Sequence, residues 1–340
     1  MKKSKALLKI FFAVLILNLM PIFLNTAQAN FKQPEILKND EGLKFYNEKN
    51  YEEALKKFTE AINLNPQFAT AYYNRGNCYY KTGLIEKSIE EFTKAIKLNA
   101  KYALAFNNRG WSYLKIDKIE EAISDFTTAI KINPKFALSY NNRGVAYDKI
   151  GRIDLSILDY NEAIKINPKY EIAYYNRGNY YNNAGKKSEA LADFTTAINL
   201  NPKDSLAYNN RGNVYDALGK YEEAIADYNE AVKIDKNHNY AYFNRGTTYL
   251  KMKKYEKALT DFTKAIEITP NHINAYNNRG IAYYNLGKIN LAIADYSKAI
   301  ELNPKLGASY KNRVQCYEKL GQKKLAEADY KKAKEYGYEK

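Results

Sequence analysis

The chain has 340 residues, of which 46% are hydrophobic and 27% charged, a composition typical of a soluble globular protein of about two domains. The formal charge of +15 suggests an anionic partner such as nucleic acid, an acidic polymer or a membrane surface. The basic residues are spread over the whole chain, however, and accompany many Asn, Tyr and Ile residues, as AT-rich codon usage would produce. That spread argues against a single clustered anion site.

The first 29 residues are predicted to be a signal peptide. Four lysines are followed by an apolar run over residues 10–24, interrupted by Asn18, and then by the small-x-small sequence that ends at Ala29. An uncleaved membrane anchor is the alternative, but the run is shorter than the ~20 residues that a spanning helix needs. No cysteine lies near the cut, which excludes lipid attachment there. We expect cleavage after Ala29, which lowers the net charge from +15 to +11.

Residues 30–34 are predicted to be a short linker, and residues 35–340 a single array of repeats. The dipeptide Asn-Arg recurs every 34 residues from Asn74 to Asn312, and glycine follows it in seven of the eight copies. A proline recurs on the same period in most copies, and no insertion interrupts the series. A constant period of this kind indicates a repeat architecture, in which each unit contacts its neighbours along the chain.

Within one unit, the spacing predicts two helices joined by a tight turn. Tyr72, Gly76 and Tyr79 lie on one face of the first helix, which should end at Gly83. The second helix carries an apolar stripe from Ile85 to Ile96 and stops before the proline, which cannot continue a helix. A single hairpin cannot cover both of its faces, so neighbouring hairpins are expected to stack.

The close approach of the two helices explains the small residues of the pattern. Gly76 and Ala95 leave room where the helices meet, and Phe92 is expected to fill the remaining space. With Ser88, these residues resemble the tetratricopeptide repeat, in a variant that carries Asn-Arg-Gly. The resemblance covers nearly the whole mature chain, from about Glu35 to Lys340.

The resemblance implies an all-α fold: a right-handed superhelical solenoid of about nine antiparallel helix-turn-helix repeats, with the first helices lining a concave groove. The first and ninth copies depart from the pattern and are interpreted as solvent-facing caps. In the first, Glu41 replaces the arginine and Lys49 replaces the turn glycine. In the ninth, Val314 replaces glycine and the closing helix is polar.

The arginine of each repeat could bind anions, but the sequence favours a structural role. An acidic residue follows each arginine by 16 positions, from Arg75 and Glu91 to Arg313 and Asp329. In the first copy both signs are reversed, with Glu41 matched by Lys57. Signs that reverse together predict an ion pair between the two helices of one hairpin.

The asparagine before each arginine is harder to explain as core, because asparagine is a poor helix former. In superhelical relatives of the family, the same asparagines point into the groove and hold the backbone of an extended peptide. An amide can donate and accept, so it suits any peptide unit. Hydrogen bonds between neighbouring helices are the alternative role. These candidate peptide-binding residues, here called the Asn rung, are Asn74, Asn108, Asn142, Asn176, Asn210, Asn244, Asn278 and Asn312.

The groove should also carry the residues on either side of the Asn-Arg-Gly triplet. Trp111 is the only tryptophan and is interpreted either as core or as a platform for a ligand. The candidates just before the rung are Tyr73, Asn107, Asn141, Tyr175, Asn209, Phe243 and Asn277, and those just after the glycine are Asn77, Trp111, Asn179 and Asn213. Such a polar and aromatic surface suits adaptable peptide contacts.

Catalysis, cofactors and metals have no support in the sequence. His238 and His272 lie at turns of separate copies without a third ligand, and no phosphate-binding loop or nucleophile motif occurs. Cys78 and Cys316 are expected to be buried thiols and too far apart for a disulfide. A family clamp for carboxylate-terminated chaperone tails is not carried over, because only Lys311 matches it.

The sequence therefore predicts a non-catalytic protein–protein interaction scaffold of the cell envelope that binds an extended peptide or partner protein in its concave groove. The alternative is a binder of anionic polymer, either nucleic acid or acidic envelope material, through its basic surface, with nucleic acid the less favoured of the two. We expect an exported protein, periplasmic or associated with the cell surface or outer membrane, and soluble after cleavage. No transmembrane segment is expected after cleavage.

Overall fold

A computed structural model describes residues 32–338 of the protein, and over that range it contains 18 α-helices and no strand. The predicted signal peptide and the first part of the predicted linker lie outside the described residues. The all-α class and the arrangement as nine consecutive helix pairs are confirmed. The chain divides into two compact units, Met1–Asp159 and Tyr160–Lys340, with the boundary inside the eighth helix.

The helices of the first unit are 13 or 14 residues long and follow one another with short turns. They are α1 (Pro34–Asn47), α2 (Tyr51–Leu64), α3 (Ala69–Lys81), α4 (Ile85–Leu98), α5 (Ala103–Lys115), α6 (Ile119–Ile132) and α7 (Ala137–Lys149), followed by α8 (Ile153–Ile166), which contains the boundary. The predicted helix bounds in the unit around Asn74 agree with α3 and α4.

The second unit repeats the same alternation of a first and a second helix. Its helices are α9 (Glu171–Asn183), α10 (Lys187–Leu200), α11 (Ser205–Ala217), α12 (Tyr221–Ile234), α13 (Asn239–Lys251), α14 (Tyr255–Ile268), α15 (Ile273–Asn285), α16 (Ile289–Leu302), α17 (Gly307–Lys319) and α18 (Lys323–Glu335).

Two kinds of turn link the helices, and local chemistry explains both. Inside a hairpin, the residue in the left-handed region is usually glycine, as at Gly83 with φ +80°. Between hairpins, an asparagine ends the second helix in most copies and accepts a hydrogen bond from the backbone two residues on, as Asn99 Oδ1 does from Lys101 N at 3.0 Å. The proline that follows in most copies then prevents the helix from continuing.

The predicted packing between the helices of a hairpin is confirmed. Phe92 and Ala95 are fully buried, and a Cβ added to Gly76 would lie 2.8 Å from the Phe92 ring. Any larger residue at Gly76 would therefore have to displace the ring or separate the helices. Tyr79, which the spacing placed on the same face as Gly76, is only partly buried.

The end hairpins differ from the others where the sequence differs. Val314 stands where the other first helices carry glycine, and the facing Tyr330 is partly exposed, whereas the equivalent Tyr296 is 1% exposed. A side chain at this position leaves no room for the ring between the helices. In the first hairpin Lys49 occupies the turn with φ 62°, in place of glycine.

Among residues 32–338, none of the helices is long and apolar enough to cross a membrane. Within the same range, no group of three or more His, Cys, Asp or Glu side chains is arranged to hold a metal ion.

Candidate peptide-binding surface

The arginine of each repeat forms the predicted ion pair. In eight hairpins of the described chain the guanidinium lies 2.7–2.8 Å from the acid 16 residues later, and seven of these pairs show two parallel hydrogen bonds. The arginine side chains are 14–18% exposed and the acids 4–9%. The reversed pair is also present, with Lys57 Nζ 3.3 Å from Glu41.

Each arginine has further partners that the sequence did not reveal. Arg177 also donates to Asn161 on the preceding second helix at 2.5 Å, and its guanidinium lies 5.6 Å from the ring centroid of Tyr174 and 5.8 Å from that of Tyr181. The hydrogen bonds to Asp193, opposed by burial, raise the pKa of Arg177. The arginines are thus held inside the array and are not free to bind an anion.

The Asn rung makes hydrogen bonds between neighbouring first helices. The amide nitrogen of Asn74 donates to Asn39 at 2.8 Å, and that of Asn142 donates to Asn107 at 3.1 Å. Asn108 donates to both Tyr73 (3.1 Å) and Asn77 (2.8 Å). The same type of bond links Asn244 to Asn209 and Asn312 to Asn277. Asn278 donates to the Thr247 hydroxyl at the longer distance of 3.5 Å. Asn176 is engaged in an interaction as well. The alternative role, linking helices, is therefore present in the free protein.

Burial separates the candidate residues into two groups. Asn107 and Asn141 are 2% exposed and Asn209 is 5% exposed, because each lies between successive first helices. The expectation that these three line an open groove is corrected by their burial. Asn74 and Asn142, each 6% exposed, are also enclosed. The remaining candidates, including Tyr73, Tyr175, Phe243 and Asn277, are partly exposed.

The residues after the glycine keep amide groups available to a ligand. Asn77 and Asn179 accept hydrogen bonds through Oδ1 from Asn108 and Asn210, both at 2.8 Å, and Asn213 accepts from the Tyr228 hydroxyl at 2.8 Å. None of the three amide nitrogens has a hydrogen-bond partner among residues 32–338. These three asparagines, here called the open amides, are partly exposed.

A cavity of about 360 Å³ lies beside the first open amide, within the first unit. It is lined by Tyr46, Tyr73, Asn77, Tyr80, Lys81, Phe92, Asn108 and Trp111. Trp111 is partly exposed, so the tryptophan both packs against the core and lines the cavity. Burial raises the pKa of Tyr46 and Tyr80. Lys81 is the only charged side chain in the lining.

The second unit contains a polar counterpart of this arrangement. Asn210 donates to the Tyr175 hydroxyl at 3.0 Å and to Asn179 at 2.8 Å, as Asn108 does to Tyr73 and Asn77. At the positions equivalent to Tyr80, Lys81 and Trp111, however, the second unit has Asn182, Asn183 and Asn213. The same hydrogen-bonded frame therefore carries an aromatic wall in one unit and an amide wall in the other.

Comparison with known proteins agrees with the repeat seen in the helices. Three family models of the tetratricopeptide repeat match most of the chain. One matches residues 69–102, 103–136, 137–170, 172–204, 205–238, 240–272 and 273–306, a second matches residues 42–83 and a third residues 308–336. The chain belongs to the tetratricopeptide repeat family. Proteins of this family act in general as non-catalytic protein–protein interaction scaffolds.

Solved tetratricopeptide repeat structures share the fold. A tetratricopeptide repeat protein from Parabacteroides merdae superposes with a TM-score of 0.57 and 21% identity over 74% of this chain and 99% of that one. The APC/C hetero-tetramer Cut9–Hcn1 gives a TM-score of 0.61 and 19% identity over 78% of this chain. This chain spans about half (52%) of the matched Cut9–Hcn1 chain. At these identities the likeness concerns the fold alone. A search of curated proteins returned no match.

Several residues of the tetratricopeptide repeat surface were missed by the sequence reasoning. Tyr80 and Lys81 follow Asn77 by three and four residues, so helical spacing alone places all three on one face. Tyr46 occupies the position of Tyr80 in the first hairpin. What the spacing could not show is that these side chains enclose a cavity together with Trp111.

The two histidines act as helix caps rather than as plain turn residues. Nδ1 of His238 accepts a hydrogen bond from Ala241 N at 3.4 Å, and Nδ1 of His272 accepts from Ala275 N at 3.2 Å. His238 is 6% exposed, and its Nε2 is buried without a partner among the described residues. Burial lowers the pKa of both rings, so each remains neutral and keeps its cap near neutral pH.

Proposed function

We propose that this tetratricopeptide repeat protein is an exported scaffold of the cell envelope that binds an extended peptide, or an extended segment of a partner protein, on its first helices. The observation that carries the proposal is the pair of open amides at Asn179 and Asn213 on successive first helices of the second unit; the first unit carries a further one at Asn77. The amide nitrogen of a partly exposed asparagine that has no partner can donate to a peptide carbonyl whatever the peptide's side chains are. Proteins of this family bind proteins or peptides, which supports the same assignment.

The Asn rung then serves as a set of positioning residues. Asn108 and Asn210 use both amide hydrogens to hold a tyrosine and an open amide. Each also accepts through Oδ1 from the preceding asparagine, at 3.0 Å in both cases. Asn108 and Asn210 therefore fix the orientation of Asn77 and Asn179, whereas the Tyr228 hydroxyl holds Asn213, and the open amides offer the free donors.

Removing two open amides tests the proposal. Asn179→Ala with Asn213→Ala should leave the chain folded and lower its retention of the partner from an envelope extract several-fold, since each hydrogen bond contributes about 0.5–1.5 kcal/mol. The matched control is Asn199→Ala with Asn290→Ala, which removes two exposed asparagines from second helices and should not change retention. If the first variant retains the partner as well as the control does, the open amides are not the site.

Salt separates this function from the anionic-polymer alternative. Binding of a polyanion should weaken steeply between about 0.05 M and 0.5 M salt, because counterions are released on binding. Recognition by neutral amides should change little over that range. The pairing of the repeat arginines with internal acids supports the peptide, since those cations are already engaged.

Export is tested by the mass of the protein recovered outside the cytoplasm. Cleavage after Ala29 should give a mature chain that begins at Asn30. A chain that retains Met1 would contradict it.

A further inference from the structure

The cavity in the first unit combines aromatic walls, a free amide and a single positive charge. Tyr46, Tyr80 and Trp111 are each partly exposed. Lys81 is exposed and forms no ion pair with any residue between 32 and 338. Asn77 adds a free amide donor. The volume of about 360 Å³ falls within the ~300–1,000 Å³ that is usual for ligand pockets.

We propose that this cavity binds an aromatic side chain of a peptide together with a neighbouring carboxylate. The ring packs against Tyr46, Tyr80 and Trp111, and the carboxylate pairs with Lys81 and accepts a hydrogen bond from Asn77. The carboxylate is either the C-terminus of the peptide or the side chain of an adjacent acidic residue. The inference rests on the proposed function. It specifies that the peptide residue held in this cavity is aromatic and lies next to a carboxylate.

The charge at the wall decides between this ligand and other aromatic-binding groups. A cage of tyrosine and tryptophan also suits a quaternary ammonium ion, but the positive charge of Lys81 repels one. Single-stranded nucleic acid stacks on aromatic side chains as well, but requires a row of cations along its backbone. Lys81 is the only cation among the residues that line this cavity. A ligand with one aromatic ring and one carboxylate matches both the aromatic walls and the single positive charge of Lys81.

The fixed frame of the cavity supports selective binding. The Tyr73 ring lies 5.0 Å from that of Tyr102 and 5.8 Å from that of Phe92, measured between centroids. The Tyr73 hydroxyl and Asn77 are tied together by Asn108. Because Tyr73 and Asn77 are held before a ligand arrives, these two side chains add little ordering cost on binding.

Trp111 provides a direct readout, because it is the only tryptophan in the chain. The probes are synthetic peptides without tryptophan: Gly-Ser-Gly-Phe with a free C-terminus, its amidated form, amidated Gly-Ser-Phe-Asp, and Gly-Ser-Gly-Ala with a free C-terminus. We expect saturable changes in Trp111 emission with the phenylalanine peptides that carry a carboxylate and none with the alanine peptide. Binding of the free acid Gly-Ser-Gly-Phe points to a C-terminal carboxylate and binding of amidated Gly-Ser-Phe-Asp to a side-chain carboxylate, whereas equal binding of amidated Gly-Ser-Gly-Phe, which has neither, would contradict the inference.

The variants come from the polar counterpart in the second unit. Lys81→Asn, Tyr80→Asn and Trp111→Asn each install the residue that the same helix position carries there, so the fold should accept them. Lys81→Asn should weaken binding about 10-fold or more, in line with the loss of a charged hydrogen bond. Tyr80→Asn and Trp111→Asn should abolish it, measured by calorimetry. Unchanged helical content and continued protection of the buried Cys78 thiol verify folding.

Three outcomes would overturn the inference: no saturable binding of any phenylalanine peptide, equal binding to Lys81→Asn, or a response to choline or a thymidine dinucleotide in place of the peptides. Loss of the cavity inference would leave the proposed function standing if the envelope partner were still retained in an Asn179- and Asn213-dependent manner. Conversely, if the peptides bind in the cavity but retention of the envelope partner does not depend on Asn179 and Asn213, only the role proposed for the open amides is refuted.

Discussion

The arginine of each repeat connects three helices through one side chain. Arg177 bonds Asp193 on its own second helix and Asn161 on the preceding one, and it lies between two tyrosine rings of its own first helix. Removing one member of such a buried pair leaves a charge without compensation, which is more costly than losing an exposed ion pair.

Reversing the charges of one pair tests this role. Arg177→Glu should destabilise the protein by ~3–5 kcal/mol, because it places two carboxylates together in a buried site. Adding Asp193→Arg should recover part of the loss, as the natural reversal at Glu41 and Lys57 suggests. Recovery should be incomplete, since an arginine at position 193 lacks the two tyrosines. Urea unfolding in a double-mutant cycle measures the coupling, and additive effects would contradict the pairing.

The His238 cap predicts a pH dependence of stability. Burial lowers the pKa of His238 in the folded protein, although Asp235 and Asp204 oppose the shift. Below about pH 6.5 the unfolded chain takes up a proton that the folded ring does not. The free energy of unfolding should therefore decrease as the pH is lowered, until the pKa of the folded ring is reached. Protonation at Nδ1 would also remove the acceptor for the Ala241 amide.

The control variant, His238→Asn, keeps a side chain that can cap the helix and removes the titrating imidazole. Asn is a good N-cap, and Asp204 caps the equivalent position of α11. His238→Asn should therefore reduce the loss of unfolding free energy between about pH 7.5 and pH 5.5. Because His272 remains in both proteins, the difference between them isolates His238. Identical pH profiles for the two proteins would show that His238 is not the titrating group.

At the scale of the helical hairpin, the turn residue limits stability in three copies. Lys49, Asp117 and Lys253 adopt positive φ, at 62°, 57° and 58°, where six other hairpins have glycine. An L-residue with a side chain pays a steric penalty in this region that glycine avoids.

Lys253→Gly should stabilise the hairpin of α13 and α14 by ~0.5–1 kcal/mol, since the relief of strain exceeds the added freedom of the unfolded chain. The reciprocal Gly219→Lys, at the same position of α11 and α12, should destabilise by a similar amount. Denaturant midpoints measure both changes. A destabilising effect of Lys253→Gly would mean that the lysine makes a compensating contact.

At the scale of the whole molecule, each hairpin relies on its neighbours, so stability should vary along the chain. The reactivity of two buried thiols can measure this variation in local stability. Cys78 and Cys316 are fully buried, and burial raises their pKa values to about 12 and about 11. Thiolates react with alkylating agents, so both cysteines should be protected in the folded state at neutral pH.

We expect Cys316 to be alkylated faster than Cys78. Cys316 lies in the last described hairpin, whose second helix is largely exposed, whereas Cys78 lies in the second hairpin, with one on each side. Mass spectrometry of peptides from a time course separates the two rates, and fully unfolded protein gives the control in which they should be similar. Equal rates in native buffer would indicate a single cooperative opening of the chain.

The sequence by itself determined the repeat, the two helices of each unit, the glycine and aromatic contacts between them and the arginine pairs, as at Gly76 and Phe92. These features depend on residues that are close in the chain, and the same pattern recurs in each copy at a constant period of 34 residues. The role of the Asn rung was left open, because an exposed amide and one bonded to the next helix read alike in a sequence. Only the packing of successive first helices decided that Asn107 and Asn209 are buried while Asn77 and Asn213 keep a free donor. The cavity around Trp111 depends in the same way on side chains from three hairpins, brought together by tertiary contacts.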